Sequence, residues 1–307
     1  MSLDHVIARL VSGRPLVVAA DANASLRARG VALDAPGALG VLLRSRPSEV
    51  LEHHRVEVAC RADVLVALTA DTTPRSLAEV GMEHRSAQLT ARAVELALQA
   101  AEESPKPVAV AGVLGSDQVS PVAANRLHEE LIEHSERLAV AGCEMLIARG
   151  QGSRVNLMAA VVAAARTELM TWAVMETRDD NLLLDRQLFE SLFEAGATTV
   201  LFELPSVSRG LTELARAKAV LQELGLASGV LLAASESAVP GFADPTLAPE
   251  AWADHALDLD SAGARVIGGG AGTTEEHLHA LAVALGSLHP SIAVRRSGTE
   301  MDPKPEL

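Results

Sequence analysis

Eight short runs of aliphatic and β-branched residues, each followed by a longer amphipathic segment, punctuate the 307-residue chain. They cover residues 15–21, 63–71, 107–115, 144–150, 168–177, 198–205, 228–235 and 264–270. Each run is mostly apolar on both faces, as a parallel strand covered on both sides requires. The segments between them repeat with helical periodicity. Leu127, Leu131 and Leu138 share one face of residues 126–142, which ends at Gly142, a plausible C-cap. The motifs "CRADV", "AGCEM", "AGATT" and "AGARV" precede four of the runs, so one helix-to-strand turn is used repeatedly. Eight βα units with nothing large left over predict an α/β chain folded as a single-domain (β/α)8 TIM barrel. The rival, a doubly wound open sheet, would want a GxGxxG turn after its first strand, and none is there. The barrel is expected over residues 1–294. The polar, proline-containing segment 295–307 is expected to be a poorly ordered tail.

Composition narrows the function classes. No apolar run reaches the ~18 residues of a membrane span, and the N-terminus lacks a basic segment followed by an apolar one. A soluble, cytoplasmic protein is the expectation. Cys60 and Cys143 are the two cysteines, too few for a disulfide framework. A net charge of −14 and the absence of tyrosine argue against nucleic-acid partners and an anionic membrane surface. A small-molecule substrate is expected, and a homo-oligomer or a partner protein is compatible with the sequence.

In such a barrel the chemistry sits at the C-terminal ends of the strands. Those ends carry Asp21, then Thr69 and Asp71, Gly112 to Gly115, Arg149, Glu176 with Thr177, Glu203, Ser235 with Glu236, and the run Gly268 to Gly270. One cation and up to five carboxylates are thereby expected around one mouth. Arg149 is expected to pair with Glu176 or Glu203, because charges leaving water need partners. The functional reading is a polar pocket for a small zwitterion or amine, with Glu203 and Glu176 available for acid–base work. The plain alternative is an ion-pair network that closes the barrel top.

The eighth run continues as VIGGGAGTTEEH, residues 266–277. A phosphate cradle after the last strand would suit a helix N-terminus. Glu275 and Glu276 disfavour it by occupying the positive end of the helix dipole, and Thr273 with Glu276 reads as a capping box.

The same stretch resembles the last strand of the homocysteine S-methyltransferase family, whose pattern is GGCCGT followed by a proline-glutamate-histidine helix start. Gly268, Gly269, Gly272, Thr273, Thr274, Glu276 and His277 match. Gly270 and Ala271 stand where the family has two cysteines. ARGVALDAP (residues 28–36) and TPRSLAEVGMEHRSAQLTARAVELA (residues 73–97) resemble the segments after its first and second strands. HRVEVACRAD, from His54 to Asp63, resembles its HxxYxxAGAD, and VAGVLG (residues 110–115) its VAGSIGP. Residues 128–147 resemble its third helix and fourth strand, so the similarity spans nearly the whole chain.

The resemblance implies the same eight-stranded barrel and a transferase of one-carbon groups. The family holds zinc on three cysteines, one at the end of strand 6 and two at the end of strand 8, and the zinc turns the homocysteine thiol into a thiolate. Here the first position falls at or next to Glu203, and Gly270 and Ala271 replace the other two. The family's aspartate-glycine at the end of strand 1 aligns with Ala19 and Ala20, its strand 2 asparagine with Leu68, and its strand 4 glutamate with Arg149. The histidines, among them His53, His54, His128, His134 and His255, fall on predicted helices or loops. No metal ligand and no cofactor are therefore expected, zinc included. The expected function is that of a diverged, homocysteine S-methyltransferase-like protein that does not use zinc-thiolate activation. Its substrate, a small amino-acid-like compound, thiol or amine, would meet Asp21, Thr69, Asp71, Arg149, Gly269, Gly270 and Thr273. The alternative is a non-catalytic barrel that serves as a binding module or partner subunit.

Overall fold

A computed structural model describes residues 2–31, 33, 35, 37–115, 124–176, 185–205, 207–234 and 247–288. The eight expected strands are all present: β1 (Leu16–Val18), β2 (Val64–Val66), β3 (Ala109–Gly115), β4 (Met145–Arg149), β5 (Met170–Glu176), β6 (Ala197–Leu204), β7 (Ala227–Leu232) and β8 (Val266–Gly269). They are parallel and close in chain order, with β8 pairing back onto β1. Twelve helices are described. α1 (Ser2–Ser12) precedes the barrel, and α2 (Ala22–Ala28), α3 (Ala38–Ser45) and α4 (Pro47–Ala59) link β1 to β2. α5 (Pro74–Ala78) and α6 (Ser86–Glu102) lead to β3, and α7 (Ala124–Ala141), α8 (Arg154–Ala165), α9 (Arg186–Glu194) and α10 (Val207–Leu224) each lead to the next strand. α11 (Pro249–Ala262) and α12 (Glu275–Leu288) flank β8. Among the described residues no helix is long and apolar enough to cross a membrane. Ser235, Glu236, Thr177 and the segment 295–307 lie outside the described residues.

Strand alternation sorts the core into two layers. Leu16, Val18, Ala109, Ala111, Met145, Ile147, Trp172, Val174, Leu201 and Leu231 fill the barrel interior, with Val6 of α1 packed beneath them. Residues of the opposite parity, such as Leu146, Ala148, Ala173, Val200, Phe202 and Val230, pack outward against the helices. That alternation explains why the runs are apolar on both faces.

The four repeated turns share a left-handed residue: φ is 65° at Arg61, 101° at Gly142, 101° at Gly196 and 113° at Gly263. Three are glycine, which tolerates that conformation without a Cβ clash, and the fourth is arginine.

Candidate functional site

The interior parity of β4, β5 and β6 decides what reaches the mouth. Arg149 follows Met145 and Ile147, Glu176 follows Trp172 and Val174, and Glu203 follows Leu201, so all three extend the inward-facing rows. The register sets Glu176 directly beside Glu203. Arg149 resolves that pairing of like charges. Its guanidinium bonds the Glu203 carboxylate and lies 3.8 Å from Glu176. Gly115 on β3 leaves room beside it, since a Cβ there would meet Arg149 Cβ at 3.3 Å. The Glu203 charge, aided by Glu176 and Asp21, pushes the Arg149 pKa up and overcomes the opposing effect of burial.

β1 ends at Val18, three residues before Asp21, because Asp21 is the N-cap of α2. Its carboxylate accepts from Asn23 N (3.0 Å) and from Gly272 N (3.1 Å). Its own N–H donates to Thr273 Oγ1 (3.0 Å), and that hydroxyl donates to the Gly270 carbonyl (2.7 Å). Asp21 therefore clasps the start of α2 to the loop after β8. Burial raises its pKa, with a smaller push from Glu203, against the lowering effect of the backbone amides it binds.

These elements enclose a cavity of about 270 Å³ at the C-terminal mouth. Its lining includes Asp21, Arg149, Glu203, Gly269, Gly270 and Ala271, together with His53 and Glu57 of α4. A larger hollow of about 750 Å³ opens at the opposite end of the barrel, beside Arg9, Asp63 and Lys106. The smaller cavity lies where the C-terminal strand ends and their loops converge.

Three features are arranged differently from the expectation. Thr69 does not line the cavity. Its hydroxyl is fully buried and accepts from Val113 N (2.9 Å), tying the end of β2 to β3. Asp71 lies beyond β2, in the turn before α5, and is also absent from the lining. β2 stops at Val66, so both residues are past the point where strand alternation controls direction. The side-chain contact at the entry to α12 is between Thr274 and His277, one residue later than expected. Thr274 N donates to His277 Nδ1 at 3.1 Å. Thr273 is buried and acts in the Asp21 clasp, and Glu176 touches the site through Arg149.

The cluster beneath the cavity wall was not legible as a site. On α4, His53 and Glu57 are one helical turn apart and His54 lies between them. All three are buried. His53 Nδ1 lies 3.3 Å from Glu275 Oε1, and Arg29 holds that same oxygen at 2.5 Å. Burial opposes a charge on His53, but Glu57 and Glu275 outweigh it and raise its pKa. Burial likewise works against ionisation of Glu275, yet His53 and Arg29 hold its pKa down at about 2. The signal in the sequence was a polar pair spaced i, i+4 on the same helix as the buried Val50.

Comparison with solved structures gives the same fold. The homocysteine methyltransferase MmuM from Escherichia coli in its oxidized form superposes with a TM-score of 0.74 and 21% identity, covering 88% of this chain and 96% of that one. Its metallated form gives 0.72 and 21% over the same shares. Its apo form gives 0.67 and 20% over 88% and 95%. Among curated proteins none matches the sequence significantly. The model of the family described as homocysteine S-methyltransferase matches residues 20–285. The chain belongs to the homocysteine S-methyltransferase family.

Proposed function

We propose that the chain is a diverged methyltransferase that binds a small amino-acid-like, amine or thiol substrate at the barrel mouth and does not activate it on a thiolate-held zinc. The observation that carries this reading is the makeup of the cavity. It is about 270 Å³, the size for a small substrate, and Arg149, Glu203 and Asp21 line it. Glu176 stands behind Arg149. Three carboxylates against one guanidinium leave an excess of negative charge, which suits an ammonium group on the ligand. Arg149 is placed to receive a ligand carboxylate, and Glu203 to take the proton of the acceptor thiol or amine as its bond to the methyl carbon forms and the methyl's bond to a sulfonium sulfur or quaternary nitrogen breaks, the donor leaving as the neutral sulfide or tertiary amine.

The residues present do not fit a zinc held as the family holds it. A Cβ at Gly270 would lie 2.9 Å from Ala233 N and from the Leu232 carbonyl carbon, so no side chain has room there. Ala271 offers no donor atom. The two free cysteines are buried outside the strand ends, and burial pushes their pKa values up to about 11 for Cys60 and about 12 for Cys143. No step of the proposed reaction is therefore routed through a zinc thiolate.

A second reading, a barrel that binds without turnover, draws on the same ion pair, since Arg149 and Glu203 can close the mouth as a structural plug. Transfer of an isotopically labelled methyl group separates the two. A panel of sulfonium and quaternary ammonium donors is offered with homocysteine, other small thiols and small amines. Turnover that falls at least about a hundredfold in Glu203→Gln supports the proposed reaction. Ligand binding with no turnover supports the second reading, and neither binding nor turnover removes both.

A further inference from the structure

We propose that His53, His54 and Glu57 form a buried site for one divalent transition-metal ion of the zinc class, in the wall of the mouth cavity and separate from the family's cysteine positions. The ligand atoms of the three residues lie within 4.8 Å of one another. Glu57 Oε2 is 3.5 Å from His53 Nε2 and 3.2 Å from His54 Nδ1. Two donors on one tetrahedral ion with bonds of about 2.0–2.1 Å stand about 3.3 Å apart, so these edges already match such a polyhedron. Two imidazoles and a carboxylate are a donor set for zinc and neighbouring divalent metals.

The surroundings match as well. A metal-binding histidine commonly gives its other ring N–H to a carboxylate. Here His53 Nδ1 faces Glu275 Oε1 at 3.3 Å, and Arg29 donates to that same oxygen at 2.5 Å. The oxygen of Glu57 that is not directed at the histidines, Oε1, accepts from Ala20 N at 3.1 Å. His53 Nε2, the ring nitrogen on the Glu57 side, is buried with no hydrogen-bond partner among the described residues. Glu275 faces the Arg29 guanidinium, while Glu57 faces the two imidazoles and the Ala20 amide. His53 and Glu57 line the mouth cavity, which gives the ion an entry path and an open coordination position on the substrate side.

Cobalt(II) binding to the full-length, chelator-stripped protein tests this without any activity assay. The expected result is one ion per chain with visible d–d bands and no near-ultraviolet sulfur-to-cobalt band, unchanged in Cys60→Ser. Glu57→Gln is expected to abolish the bands, and Glu275→Gln to weaken binding by about 10–100-fold. Should Glu57→Gln fail to fold, the weakening in Glu275→Gln decides the matter. Absence of saturable uptake, equal affinity in these variants, or a thiolate band overturns the proposal. In that event a proton on His53 is the countercharge of the cluster. Loss of metal binding leaves the reading of Arg149 and Glu203 untouched, so the two fail separately.

Discussion

Arg149 on β4 and Glu203 on β6 form an ion pair across the intervening strand β5, whose Glu176 is only 3.8 Å from the same guanidinium. One cation thus separates two carboxylates that the strand register sets side by side. Arg149→Ala leaves those carboxylates facing each other in a half-buried place. We expect a loss of about 2 kcal/mol in urea denaturation. Adding Glu203→Gln to Arg149→Ala should return part of it, and a double-mutant cycle with no coupling would show that the pair does not act as a unit.

Asp21 spends both carboxylate oxygens on backbone amides, those of Asn23 and Gly272. An asparagine presents a donor where one of those oxygens was. Asp21→Asn should therefore cost about 1–2 kcal/mol, comparable to losing a helix cap. Stability indistinguishable from wild type would mean that the clasp between β1 and the β8 loop contributes nothing.

His134 is buried against the backbone of Thr69 and Val113 without forming a well-aligned hydrogen bond. Burial, reinforced by Arg137, lowers its pKa from 6.5 to about 4. A depressed folded-state pKa means that the unfolded chain takes up the proton first as pH falls. Its contribution is complete above pH 6.5 and is lost between there and pH 4, amounting to about 3 kcal/mol. Chemical denaturation across that range should show the slope, and His134→Asn should flatten it. An unchanged slope in the variant would place the titration elsewhere.

Gly270→Cys puts a thiol where the family resemblance implies a cysteine, at a position where a Cβ meets the backbone at the end of β7 at 2.9 Å. The variant should lose about 2 kcal/mol or more through overpacking and should not gain zinc. A stable variant that takes up zinc would show that the loop can yield.

The barrel was legible because its strands are buried on both faces, so eight apolar runs mark eight strands. The pairing of Arg149 with Glu176 or Glu203 was expected because charges leaving water need partners, and inward parity at the strand ends brings all three together. Thr69 and Asp71 fall outside the cavity lining for the opposite reason. β2 is only three residues long, and the chain has already turned when it reaches them. Asp21 kept its place at the mouth, although its carboxylate serves as a cap as well as a wall. His53 and Glu57 escaped a reading confined to strand ends because a helix, α4, delivers them to the cavity. Arg61 shows a further limit. It occupies the turn position that glycine holds at residues 142, 196 and 263, which composition alone does not reveal.

The central claim is that the mouth around Arg149 and Glu203, and not a thiolate centre, binds the ligand. Calorimetric titration of small amino acids, amines and thiols into wild type, Glu203→Gln and the Cys60→Ser/Cys143→Ser double variant tests it most directly. The expected result is a 1:1 ligand whose affinity falls at least about tenfold in Glu203→Gln, as for loss of a charged hydrogen bond, and is unchanged in the cysteine-free protein. Binding that survives Glu203→Gln but disappears with the cysteines would contradict it.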